Sequence, residues 1–118
     1  MNTEDFQQKI NNRESFLLAG DNQYLGKLSL NRYDSESISN EYGIYGSKYA
    51  STSIFNTYGI YGSKYSSLSP NNPYTNTPPI IFLHGQRFSY LTKNKYLGTT
   101  TIDPEELVHW MQQKSLNY

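Results

Sequence analysis

Ile38-Ser39-Asn40-Glu41-Tyr42-Gly43-Ile44-Tyr45-Gly46-Ser47-Lys48-Tyr49 returns sixteen residues later as Ile54-Phe55-Asn56-Thr57-Tyr58-Gly59-Ile60-Tyr61-Gly62-Ser63-Lys64-Tyr65. A degenerate third copy opens at Pro70 and keeps Asn72 and Tyr74, and Ser53 and Ser69 precede successive copies. Neither helix nor strand periodicity fits residues 38–74. Paired glycines are costly in a helix and weaken a strand. A succession of turns is expected instead, with Gly43, Gly46, Gly59 and Gly62 where φ is positive or packing is close.

Two similar hairpin signals flank the repeat. In residues 15–33, the run Ser15-Phe16-Leu17-Leu18-Ala19 meets Gly20-Asp21-Asn22 and then Tyr24 to Leu30. Gly26 in the second arm suggests a bulge or the close approach of another backbone. In residues 80–96, Ile80-Ile81-Phe82-Leu83 runs through His84-Gly85 into Phe88 to Thr92. Leu28-Ser29-Leu30-Asn31-Arg32-Tyr33 aligns with Leu91-Thr92-Lys93-Asn94-Lys95-Tyr96. An isolated hairpin is marginal in water, so the two are expected to pair in one antiparallel sheet.

Short helices are expected at both ends. In residues 1–14, Phe6 and Ile10 share a face, Thr3 is the expected cap, and Glu4 and Asp5 complement the helix dipole over residues 4–12. In residues 103–114, Asp103 caps, Pro104 suits the first position, and Leu107, Trp110 and Met111 form an apolar stripe expected to bury Trp110. Residues 70–79 hold Pro70, Pro73, Pro78 and Pro79 and read as a stiff extended connector. The fold class is therefore α+β or mostly β, in a single domain of 118 residues.

Composition narrows function mainly by exclusion. Ten basic residues balance ten acidic ones, so the basic excess of a nucleic-acid binder is missing. There is no cysteine, which removes disulfides, thiolate metal sites and cysteine nucleophiles. No apolar stretch is long enough to span a bilayer. The expected compartment is the cytoplasm, or the exterior if a leader has been removed. A hydrophobic share of 36% with twelve tyrosines suggests a small core rich in half-wet rings.

No Gly-x-Ser-x-Gly, Walker or dinucleotide motif is present. His84 and His109 are a lone turn histidine and a lone helical one, and support a hydrolase only if folding brings a carboxylate to either. Asp34-Ser35-Glu36-Ser37 lacks calcium-loop spacing and reads as a solvated turn. No cofactor, metal or catalytic residue is assigned.

The repeat has two readings. In one it packs on itself, and Tyr45 and Tyr61 take matching buried sites; this is the preferred reading. In the other its rings are a stacking platform, and Tyr42, Tyr45, Tyr49, Tyr58, Tyr61 and Tyr65 are the binding residues. The leading function is a non-catalytic module for a protein partner, such as a small inhibitor or accessory protein. The alternative is carbohydrate or cell-wall binding, with Asn40, Asn56 and Asn72 bonding sugar hydroxyls. No nucleic acid or membrane partner is expected.

Tyr24-Leu25-Gly26, Asn31, Tyr33-Asp34, Ser37-Ile38, both Tyr-Gly-Ile-Tyr-Gly-Ser-Lys-Tyr copies, Ser69-Pro70, Asn72, Tyr74, Pro78-Pro79 and Tyr90-Leu91-Thr92 with Asn94 carry a resemblance across residues 24–103. Together the stretch resembles a set of small bacterial proteins with tandem Tyr-Gly-x-Tyr-Gly-Ser-x-Tyr repeats and no established activity. The resemblance implies export and a cysteine pair near the first hairpin. Lys27 and Leu30 stand in that region here, and the chain has no cysteine. The resemblance implies an organisation and no functional residues.

Overall fold

The computed structural model describes residues 1–98 and 100–117. It is an α+β chain with five strands in one mixed sheet: β1 (Phe16–Leu18), β2 (Tyr24–Lys27), β3 (Ile80–Leu83), β4 (Gln86–Leu91) and β5 (Thr101–Ile102). The spatial order is β2-β1-β3-β4-β5. β1 pairs antiparallel with β2 and β3, and β3 antiparallel with β4. The expectation of a wholly antiparallel sheet fails at one edge, where β5 lies parallel to β4. Residues 92–98 turn the chain back before it re-enters the sheet, so β5 runs in the direction of β4.

The turn between β3 and β4 is two residues long. His84 (φ 51°) and Gly85 (φ 78°) both adopt left-handed backbone, the conformation whose twist matches that of the flanking strands. Gly26 stands at φ 111° beside the irregular pairing of β1 with β2. A β-carbon there would lie 2.7 Å from Cβ of Tyr45 and 2.9 Å from Cγ2 of Ile38, so Gly26 makes room for side chains of the repeat and not for the backbone expected there.

Strand alternation divides the core. Phe16, Leu18, Tyr24 and Phe82 face α1 (Thr3–Asn11), whose Phe6 ring centroid stands 5.4 Å from Phe82 and 6.3 Å from Phe16, both edge to face. Asn2 caps this helix in place of Thr3, its Oδ1 accepting from Asp5 N at 2.7 Å. The other set holds Leu17, Leu25, Leu28, Ile81 and Leu91, packed with Ile38, Ile54 and α2 (Leu107–Gln113). The C-terminal element begins as a 3-10 turn at Pro104–Glu106, where Asp103 Oδ1 accepts from Glu105 N at 2.9 Å. Leu107, Trp110 and Met111 are its buried stripe, as their spacing requires. Aliphatic residues dominate the larger cluster. The expected richness in rings is met in the smaller one, where Phe16, Tyr24 and Phe82 are buried with Phe6 and Tyr45 packed against them.

Residues 31–77 form a coil of successive tight turns, so the repeat is neither helix nor strand. The turns start every third residue, with one step of four in each sixteen. Gly43 N donates to Asn40 O at 3.1 Å, Gly59 N to Asn56 O at 3.0 Å and Thr75 N to Asn72 O at 3.4 Å. Between these come turns begun by Ser37, Ser47, Ala50, Ser53, Ser63, Ser66 and Ser69. The side chain at the head of each turn locks it where chemistry allows. Asn40 Oδ1 accepts from Tyr42 N at 3.0 Å, Ser47 Oγ from Tyr49 N at 3.1 Å, and Asn56 and Ser63 repeat these at 3.1 and 3.2 Å. Short polar side chains favour this local bond over helix or strand ladders.

Neighbouring turns are tied across six to ten residues. Asn40, Asn56 and Asn72 donate Nδ2 to the carbonyls of Asp34, Ala50 and Ser66 at 3.2, 3.1 and 3.2 Å. Ser37 Oγ donates to Ser29 O at 2.9 Å and Thr52 Oγ1 to Ile44 O at 2.7 Å. Small residues therefore fill the inside, where Ser37, Ser53 and Ser69 are fully buried, and Ile38, Ile54 and Pro70 are the matching apolar column. The proline-rich connector is not extended throughout, because the turns continue through Tyr74.

None of the four repeat glycines has positive φ; the positive-φ glycines are Gly26, Gly85 and Gly98. Closeness is what selects glycine in the repeat. At Gly46 a β-carbon would overlap the carbonyl oxygen of Asn40 and lie 2.8 Å from that of Ile38; at Gly62 it would overlap that of Asn56 and lie 2.8 Å from that of Ile54.

Candidate functional site

Two places after a turn-heading Asn or Ser the sequence repeatedly has tyrosine, and these rings are open to solvent. Tyr42 and Tyr58 are each 97% exposed, and Tyr49 and Tyr65 are 81% and 82% exposed. Tyr74 extends the first column, and Tyr33 and Tyr96 occupy the same place in the turns headed by Asn31 and Asn94. Ile44 and Ile60 are exposed as well. Large rings held open to solvent at fixed intervals are the kind of apolar surface that calls for an explanation.

Tyr45 and Tyr61 turn the other way. Tyr61 is buried and its hydroxyl donates to Asp21 Oδ2 at 2.7 Å. Burial, then the bond and the charge of Asp21, push its pKa up to about 12. Tyr45 is half-buried and stands edge to face with Tyr24 at 5.1 Å, with its pKa raised by burial and by Glu36. The six candidate rings thus divide into four outward and two inward. The two inward rings occupy equivalent places in the coil, but their surroundings differ, contrary to the expectation of matching sites.

The outward rings wall two open grooves. The first, about 800 Å³, includes Glu41, Tyr42, Gly46, Ser47, Lys48, Tyr49 and Phe55. The second, about 1120 Å³, includes Thr57, Tyr58, Gly62, Ser63, Lys64, Tyr65 and Asn71. Every residue of the first set maps onto the second by a step of sixteen. Two tyrosines, a glycine, a serine and a lysine are identical in the two grooves, while Glu41 and Phe55 of the first are replaced by Thr57 and Asn71 in the second. Lys48 Nζ stands 5.4 Å from the Tyr49 ring centre and Lys64 Nζ 5.2 Å from that of Tyr65. At such distances a cation is attracted to the ring face. Leu30, Arg32, Ile38, Ser39 and Val108 complete the first groove, and Asn72, Pro73, Tyr74 and Lys93 the second.

Lys93 is already committed, with Glu105 at 3.2 Å and Asp103 at 3.4 Å. Burial alone would lower its pKa, but those carboxylates outweigh burial and hold it above the ordinary value. Among the described residues no carboxylate lies within 4 Å of Lys48 or Lys64.

The carboxamides proposed for sugar hydroxyls are occupied. Asn40, Asn56 and Asn72 each spend Oδ1 on the backbone N–H two residues on and Nδ2 on the carbonyl six residues back. Their polar ends build the coil and do not face the grooves as free groups. Spacing in the sequence could have revealed this, since Ser, Thr, Asn, Asp or Gly recurs at the head of nearly every turn.

Among the described residues neither histidine lies within 4 Å of a carboxylate. His84 is exposed in its hairpin turn, and His109 is exposed with its Nε2 3.2 Å from Gln113 Nε2. Asp34 makes its own turn: Oδ1 accepts from Glu36 N at 2.9 Å and Oδ2 meets Lys27 Nζ at 3.0 Å. That backbone bond first, and Lys27 second, lower its pKa. Among the described residues no group of three His, Cys, Asp or Glu could hold a metal ion.

A further recess of about 490 Å³ lies between α1 and the start of the coil, lined by Lys9, Glu14, Tyr24 and Glu36 among others. Its charges satisfy each other, with Lys9 at 3.3 Å from Glu14 and 3.7 Å from Glu36. The Tyr24 hydroxyl is buried there without a hydrogen-bond partner, and burial, followed by Glu36, raises its pKa. No helix among the described residues is long and apolar enough to cross a membrane. No family model, curated protein or solved structure matches this chain.

Proposed function

We propose that the chain is a non-catalytic module that binds a protein partner on the tyrosine face of its coil. The observation that carries this reading is the sixteen-residue equivalence of the two grooves. Exposed rings are repeated in register and held by turns whose hydrogen bonds are internally satisfied. Tyrosine on a rigid backbone offers large contact area for little lost entropy, and glycine and serine beside it let a partner approach closely. Tyrosine is also among the residues that dominate binding energy in protein interfaces.

Carbohydrate binding shares the stacking surface but lacks the convergent polar groups, because the asparagines are consumed by the turns. The test is affinity capture from the native host with the natural chain and with a Tyr49→Ala/Tyr65→Ala variant. A stoichiometric protein retained by the first and lost by the second, at unchanged melting midpoint, supports the reading. Equal retention by both chains overturns it.

A further inference from the structure

The chain is neutral as a whole, but its charges are segregated. From Tyr42 to Ile102 there is no Asp or Glu, while Lys48, Lys64, Arg87, Lys93 and Lys95 fall in that span. The ten acidic residues all lie at positions 4–41 and 103–106. The segment that builds both tyrosine grooves is therefore locally cationic. The first groove is lined by Arg32 and Lys48 with the single carboxylate of Glu41. The second is lined by no acid, and its uncommitted cation is Lys64, since Lys93 there is paired with Asp103 and Glu105. Lysines beside open aromatic walls favour an occupant that brings both carboxylates and flat apolar groups.

We infer that the two grooves together take one extended acidic peptide segment of a protein partner, with a carboxylate at each of Lys48 and Lys64 and apolar side chains or proline rings against Tyr42, Tyr49, Tyr58 and Tyr65. The inference rests on the protein-binding reading and adds to it the chemistry and conformation of the ligand. An extended ligand follows from the duplication. Two grooves that repeat sixteen residues apart along one coil reward a strand that repeats its own contacts. Aromatic-lined grooves are a known seat for extended proline-containing peptides, whose stiff backbone loses little entropy on binding. The molecule is 32 × 31 × 30 Å. About ten residues at roughly 3.1 Å each would cross it, so one short segment reaches both grooves.

The test is fluorescence anisotropy of the intact chain with synthetic peptides of about twelve residues. One alternates glutamate with proline, one glutamine with proline, and a thymidine oligonucleotide of similar length is the competing polyanion. The glutamate peptide is expected to bind one per chain, about tenfold more tightly than the glutamine peptide, with affinity falling as salt is added. Lys48→Gln/Lys64→Gln, which alters two exposed side chains, should keep the melting midpoint and erase the preference for glutamate.

Equal binding of the two peptides, two peptides per chain, an unchanged preference in the double variant, or stronger binding of the oligonucleotide would each overturn the inference. If no peptide binds but Tyr49→Ala/Tyr65→Ala still loses the captured host protein, the acidic-peptide inference falls and the protein-binding reading stands. If that variant keeps the host protein, the binding reading falls with it.

Discussion

The sheet with its two helices and the coil of turns reach order by opposite means. The sheet buries Leu17, Leu25, Ile81 and Leu91 completely or nearly so, and its stability comes from apolar area removed from water. The coil buries Ser37, Ser53 and Ser69 and turns most of its rings outward. Its shape is held by side-chain oxygens and carboxamides that satisfy the backbone, because small inner residues offer little apolar area. A segment can thus be rigid while presenting large aromatic groups to solvent, provided its hydrogen bonds are closed internally.

The contrast can be tested by substitution. The largest effect is expected in the sheet, where Leu17→Ala should cost about 4 kcal/mol, since a fully buried leucine leaves a cavity between strand and coil. Gly62→Ala comes next, at about 3 kcal/mol, because the added methyl meets backbone that cannot swing aside. If chemical denaturation shows Gly62→Ala to be harmless, the coil is looser than its turns imply. Asn56→Ala should cost about 2 kcal/mol by freeing two backbone groups at once. The same change at an exposed asparagine outside the turns would be nearly silent.

Tyr61→Phe probes the seam between the regions, since its hydroxyl reaches Asp21 in the first hairpin turn. A loss of about 1 kcal/mol is expected at neutral pH. The sign of its pH dependence is fixed by a folded pKa of about 12, raised above the ordinary tyrosine value near 10. Its contribution is complete below about pH 10 and is lost as pH rises towards 12, because the unfolded chain sheds that proton first. Alkaline denaturation of Tyr61→Phe should therefore be shallower across that window, with the raised pKa of Tyr24 supplying part of the slope that remains. The smallest effect is expected at the outward rings: Tyr58→Ala and Tyr65→Ala should each shift stability by no more than about 0.5 kcal/mol. A large loss at either would make it a packing residue and erase the distinction between the regions.

Much of the frame was legible. The antiparallel pairings of β1 with β2 and of β3 with β4 and the buried Trp110 follow from patterning and turn chemistry and are present. The C-terminal helix is present too, but Asp103 caps the 3-10 turn that leads into it and not the α-helix itself. The parallel edge strand was not legible, since Thr101-Ile102 is too short to declare itself and owes its place to the return of the chain beside β4. Within the repeat the sixteen-residue period hides a shorter one: Asn40, Gly43, Ser47, then Asn56, Gly59, Ser63, each heading a turn. That spacing of three and four is written in the residues, and it explains the glycines and asparagines better than positive φ or ligand binding does.

Sequence by itself determined the tandem units, the absence of thiol chemistry, the segregation of acids away from residues 42–102, and the residue types a turn coil requires. It did not determine which rings point out. Tyr42-Gly43 and Tyr45-Gly46 are the same dipeptide three residues apart, but Tyr42 stands in solvent while Tyr45 packs on Tyr24. Tyr45 and Tyr61 share eight residues of identical local sequence, and one meets a ring while the other meets a carboxylate. Local bonding fixes the turn and the direction of each side chain about the coil axis. What lies in that direction is set by the sheet, which covers one side of the coil and leaves the other open.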